Sequence, residues 1–184
     1  MQDTPSTKHR FTSRQAQDLT AYWRKLAVKA GNIPARADFD PIAIPTILPS
    51  VFLIERLDND TYRFRLQGTD FTDRGVSDMT GVMLTQQTAG SRQSPIIDVL
   101  TRVLDTRAGL HILGVEQSEQ GRQSLVEYVT LPLLDEEGTP RFVVGCGSPL
   151  ATLGYDDENK KQGPLIEVRD LREISLAEPE GRVA

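Results

Sequence analysis

Three side chains are singled out as candidates for chemistry by their settings: His111, Glu127 and Cys146. His111 stands between Leu110 and Ile112 in a strand-like run, where an imidazole can ligate haem or a metal ion. A ligand histidine needs partners, and the only other one, His9, lies in a polar N-terminal stretch. The plainer reading is a sheet histidine satisfied by hydrogen bonds. Cys146 sits between two glycines in the apolar run FVVGCG, which suits a small core residue better than a reactive thiol. Glu127 interrupts the apolar run SLVEYVTL and shares a face with Leu125, Val129 and Leu131 in a regular strand. Burying a carboxylate alone costs several kcal/mol, so Glu127 needs a partner, and Arg63 or Arg65 can supply one. It is then either a structural ion pair on the sheet or a polar anchor for a ligand. An enzyme would use Glu127 or His111 as its acid or base.

The usual catalytic signatures are missing. Gly68-Thr69, Gly81 and Gly90 lack the lysine and spacing of a phosphate-cradling loop, and no Gly-x-Ser-x-Gly, His-Glu-x-x-His or Cys-x-x-Cys occurs. The 184 residues suit one domain with a sizeable core. Net charge is −5, from 21 basic and 26 acidic residues with no basic block, which argues against a nucleic-acid partner. No apolar run approaches the roughly 20 residues of a membrane span, and MQDTPSTKHRFTSRQ lacks the apolar core of a signal peptide. One cysteine excludes an internal disulfide and fits a reducing compartment, so a cytoplasmic location is expected.

The elements that must position these residues read as follows. Residues 1–12 are polar and expected to be a disordered tail. Residues 13–30 have helical periodicity, with Leu19, Tyr22, Trp23, Leu26 and Ala27 as one stripe and Gly31 as the stop. Asp40-Pro41 starts a short helical turn in an apolar segment containing Ile42, Ile44, Ile47 and Leu48, a plug for the sheet's edge. Residues 51–56 and 62–67 flank Asp58-Asn59-Asp60 as a β-hairpin, with Tyr62, Phe64 and Leu66 on one face. Short helical turns follow at 71–76 and 82–85, then a helix over 94–105 capped by Ser94, with Ile96, Ile97, Leu100, Val103 and Leu104 as its stripe. Runs at 108–116, 124–134 and 141–150 read as strands joined by hairpin turns, and the glycines of the last suggest a bulge or a close backbone approach. Residues 165–176 are open to helix or strand.

Helix, two strands, short helices, a helix and three strands fold as an α+β domain: a five-stranded antiparallel sheet with helices packed over one face, plus the N-terminal helix. The stretches AYWRKLA at 21–27, IPARADFDPIAIPTILPSVFLIE at 33–55, YRFRLQGTDF at 62–71, DMTG at 78–81 and VEYVTLPLLDEEG at 126–138 carry a resemblance. In this order they resemble a small bacterial family of stand-alone PAS-like proteins, over roughly residues 20–150. The resemblance implies a sensory or docking module, usually dimeric, that binds small ligands between sheet and helices and acts through a partner protein. In PAS proteins that form flavin adducts the cysteine lies in a motif on the helical side, unlike Cys146.

The domain proper is expected over 33–152, with 153–184 as a C-terminal extension and tail. Phe52, Ile54, Phe64, Leu66, Ile97, Leu100, Val129 and Leu131, with Glu127 as polar anchor, are expected to line a ligand pocket. The same apolar residues serve equally as a filled core. Leu19, Tyr22, Trp23 and Leu26 are expected at a homodimer contact, because an apolar stripe outside the sheet needs cover; the sheet's own back is the other candidate. The expected function is a cytoplasmic regulatory module that binds a small ligand, a signalling partner, or both. The alternative is a small enzyme, which would bring two titratable groups together in the cavity.

Overall fold

In the computed structural model, which describes residues 10–85, 95–156 and 163–174, the chain forms one antiparallel sheet covered on both faces. Helix α1 (Arg14–Ala30) precedes the hairpin β1 (Val51–Arg56) and β2 (Tyr62–Gln67). Helix α2 (Thr69–Asp73), strand β3 (Met83–Leu84) and helix α3 (Pro95–Thr106) follow. The long strands β4 (Gly109–Gln117), β5 (Arg122–Leu134) and β6 (Pro140–Tyr155) come next, then β7 (Gly163–Ile174). The spatial order is β3-β2-β1-β6-β5-β4-β7.

Seven strands therefore replace the expected five. Met83 and Leu84, expected in a helical turn, pair with Arg63 and Tyr62 instead. The ambiguous run after residue 163 is strand, pairs along β4, and so belongs to the sheet rather than to a separate extension. Phe11 and Thr12, expected in a disordered tail, are packed: Phe11 is buried and the Thr12 amide is hydrogen-bonded. Ser94, expected as the cap of α3, lies outside the described residues.

The N-terminal helix forms for the reasons its sequence suggests. Ser13 caps it by accepting from the Ala16 amide at 3.2 Å, and Gly31 ends it with φ +67°, a backbone angle that glycine adopts without strain. Its buried face is Ala16, Leu19, Thr20 and Trp23, spaced three and four apart. This face lies on the back of the sheet with Phe11, Ile33, Phe39, Ile44 and Ile47, against Leu53, Val129, Leu131, Leu133 and Val144. Asp40 caps the 3-10 turn Pro41–Ala43 through the Ile42 amide, and the tucked residues of that segment fill the same layer. On the front, α3 lays Ile97, Leu100, Val103 and Leu104 over Phe52, Ile54, Tyr62, Phe64 and Ile112. The Tyr62 hydroxyl meets Thr101 Oγ1 at 2.7 Å, and Arg56 pairs with Asp105 at 2.8 Å, fixing α3 to the hairpin.

The stripe assigned to a dimer contact is thus used by the chain's own sheet. Leu19 and Trp23 are 0% and 1% exposed, and the Trp23 indole Nε1 donates to the Pro132 carbonyl at 2.9 Å. Tyr22 and Leu26 flank them half-buried, with the Tyr22 hydroxyl bonded to both the amide and the carbonyl of Asp40. Leu19 and Trp23 give no reason for a second copy. Trp23→Ala is expected to reduce stability in urea unfolding by about 3–5 kcal/mol. A loss below about 1 kcal/mol would mean the indole is not a core group.

Candidate functional site

Between the front of the sheet and α3 lies a cavity of about 30 Å³. The sheet contributes Phe52, Ile54, Phe64, Gln67, Ile112, Tyr128 and Thr130 to its wall. Phe71 closes it from α2, Ile96, Val99 and Leu100 from α3, and Pro164 and Leu165 from β7. Of the residues expected there, Phe52, Ile54, Phe64 and Leu100 line the cavity, and Ile97 packs in the same apolar layer without reaching it.

Leu66, Glu127, Val129 and Leu131 do not. Glu127 shares a face with Val129 and Leu131 as the alternation requires, but that face is the back. The pocket receives the even-numbered residues of β5, Tyr128 and Thr130. Leu66 is turned by a bulge: Leu53 pairs with Leu66 but Ile54 pairs with Phe64, so Arg65 is the extra residue. Beyond it the faces exchange, Leu66 packs on the back and Gln67 enters the pocket.

Two glycines of β6 make room for the rings. A Cβ on Gly147 would stand 2.7 Å from Tyr128 Cε1 and 3.0 Å from Phe71 Cζ, and one on Gly145 would collide with the Phe52 ring. The polar groups in the wall all have protein partners. Gln67 donates to the Ser77 carbonyl at 3.0 Å and accepts from the Met79 amide at 3.3 Å. Thr130 Oγ1 donates to the Leu110 carbonyl at 3.4 Å. The Tyr128 hydroxyl lies against the Pro164 carbonyl and 3.2 Å from Glu116 Oε2. Burial, reinforced by the Glu116 charge, raises the Tyr128 pKa well above the usual phenol value, so the hydroxyl stays neutral. Glu116 is held by a two-pronged ion pair with Arg74, both contacts at 2.9 Å, and the Arg74 guanidinium also covers the Phe71 ring at 4.5 Å.

On the back of the sheet His111 and Glu127 do come together, with His111 Nε2 2.7 Å from Glu127 Oε1. The carboxylate's other partners are backbone amides rather than Arg63 or Arg65. Thr12 donates to Oε1 at 2.8 Å and Ser13 to Oε2 at 2.6 Å, while Arg65 and Arg141 pair with Glu55. Phe11 covers the site with its ring edge-on to His111 at 5.1 Å. Sequence inspection finds the carboxylate but not these partners, because any residue can offer a backbone amide. His111 is thus engaged by Glu127 away from the pocket, and among the described residues no group of three or more His, Cys, Asp or Glu is placed to hold a metal ion. Cys146 is also buried on the back, and burial pushes its thiol up to about 12, which keeps it protonated.

Burial raises the Glu127 pKa, but the bonds from His111, Ser13 and Thr12 outweigh it and bring it from 4.5 down to about 2. The folded value is the lower one. The stability it contributes is therefore complete above pH 4.5 and disappears as pH falls through about 2. Glu127→Gln is expected to flatten the fall in unfolding free energy across this window, by on the order of 3 kcal/mol. Urea titrations at several acid pH values would show it, and an unchanged slope would refute the assignment.

A sequence profile of the PAS domain family matches residues 11–148. Among solved structures, a light-oxygen-voltage domain studied with a flavin analogue aligns at 12% identity and a TM-score of 0.46, covering 60% of this chain and 83% of its own. A fungal LOV domain photoreceptor aligns at 16% identity and a TM-score of 0.44, covering 75% and 95%. No curated protein sequence matches the chain. The family match extends over most of the length, from the segment that docks on Glu127 to Ser148 within β6, and this chain belongs to the PAS domain family.

Proposed function

We propose that this protein is a cytoplasmic regulatory module whose front pocket takes a small uncharged apolar molecule and whose state is read by a signalling partner protein. The observation that supports the ligand class is the pocket wall, apolar side chains with every polar group already bonded within the protein. A charged or strongly polar ligand would lose its hydration there without gaining partners. PAS domains are generally sensory rather than catalytic, and the His111–Glu127 pair that would serve as acid and base faces away from the pocket. No helix among the described residues is long and apolar enough to cross a membrane.

The cavity volume favours a second reading. About 30 Å³ is far below the roughly 300 Å³ of ordinary small-molecule sites. A docking module with a filled core needs no more space than this. Under the first reading α3 and the start of β7, which form the far wall, must move outward to admit a ligand of more than a few atoms.

Native mass spectrometry of the protein from its own host, against the denatured mass, separates the two. Extra mass lost on denaturation, from a neutral apolar compound that raises the melting temperature of the stripped protein, is the expected result. A ligand-free species that no small apolar compound stabilises would overturn the ligand reading in favour of docking alone.

A further inference from the structure

A second opening lies at one end of the sheet, where the exit of α2 meets the turn between β4 and β5. It is a polar cleft of about 270 Å³, close to the roughly 300 Å³ at which small-molecule sites begin, and it shares no wall residue with the front pocket. Hydrogen bonds within the chain fix its walls. The Glu119 amide donates to the Gly75 carbonyl at 2.9 Å, and Arg122 Nη2 donates to the Arg74 carbonyl at 2.7 Å. Ser118 Oγ accepts from the Arg122 amide at 3.1 Å. Gly75, at φ +83°, lets the turn come this close, since a Cβ there would stand 2.8 Å from Gln120 Oε1.

Two opposite charges line this cleft without meeting each other. The Arg122 guanidinium bonds to a carbonyl and pairs with no carboxylate among the described residues. Asp73, the last residue of α2, is exposed, and its carboxylate has no hydrogen bond or ion pair among the described residues. The other cation in the wall, Arg74, is already neutralised by Glu116. Tyr155 stands opposite Arg122 in the β5–β6 ladder and adds a ring that is 72% exposed.

We propose that this cleft binds a small zwitterion of the free amino-acid type, with its carboxylate on Arg122, its ammonium on Asp73 and its side chain against Tyr155. The guanidinium fork matches a carboxylate in shape as well as charge. A phosphate would meet Asp73 in the wall, Glu116 behind Arg74 and Glu119 in the turn, all of its own sign. A simple carboxylate leaves Asp73 without a partner, and a simple amine meets the guanidinium of Arg122. The site is independent of the front pocket, whose wall suits an uncharged apolar molecule.

Amide NMR of the full chain, titrated with each of the common free L-amino acids, tests this, with acetate, methylammonium and inorganic phosphate as controls. At least one amino acid is expected to give saturable shifts at the Gly75, Gln120 and Arg122 amides, and the three controls are not. Arg122→Gln and Asp73→Asn are each expected to weaken that binding about tenfold or more. Should Arg122→Gln fail to fold, Arg122→Lys keeps the charge without the fork and is expected to weaken it several-fold. No saturable shift with any amino acid would overturn the proposal. Acetate or phosphate binding as tightly as the amino acid, and undiminished in Asp73→Asn, would overturn it in favour of a plain anion site. Shifts confined to Ile112 and Thr130 would place the ligand in the front pocket and overturn the cleft.

Discussion

The structure depends on one sheet whose two faces both have to be covered by the same chain. Along the middle of β5 nearly every residue is buried, because α1 and the turns after it close one face while α3 closes the other. A strand in that position has no solvent side, so its alternation no longer separates apolar from polar. It separates two apolar layers with different tasks. The front layer leaves a small space under α3; the back layer is packed by Trp23, Leu19, Ile44 and Ile47.

This constraint accounts for what was legible in the sequence. Helix α1 was readable because it is amphipathic and carries its own cap and stop at Ser13 and Gly31. The hairpin and α3 were readable for similar local reasons, and the resemblance to PAS proteins placed them in order. Which face of β5 meets the pocket was not readable. Leu125, Val129 and Leu131 on one side and Val126 and Tyr128 on the other are equally suited to burial, and only the path of α1 decides between them. Leu66 was misplaced because a bulge leaves no mark in a pattern as short as YRFRLQ. Strand β3 is only two residues long and holds its place by pairing with β2, a tertiary fact invisible to local periodicity.

Two of the buried acids, Glu116 and Glu127, illustrate how differently a sheet can accommodate charge. Glu116 is neutralised by a guanidinium that arrives from the turn after α2, and the pair also fixes the Tyr128 hydroxyl at the pocket's rim. Glu127 is accommodated without a formal cation from Lys or Arg, through main-chain amides at the start of a helix together with an imidazole. Amides at a helix start have no partners within the helix, so they are suited to a carboxylate. The first arrangement ties side chain to side chain. The second ties the position of a whole segment to one residue in the centre of the sheet.

The bare backbone of Gly145 and Gly147 has a consequence for how this pocket can vary among relatives. The rings of Phe52, Phe71 and Tyr128 rest on it with no room for even a methyl group. Gly147 and the rings of Phe71 and Tyr128 are therefore a matched set. A larger residue at 147 is compatible with the fold only alongside a smaller one at 71 or 128, whereas at 145 the Val129 carbonyl, 2.5 Å from an added Cβ, closes the position whatever side chain stands at 52. Enlargement at 147 is therefore tied to a change at 71 or 128, both of which line the cavity, so this part of the wall can vary only by paired substitution.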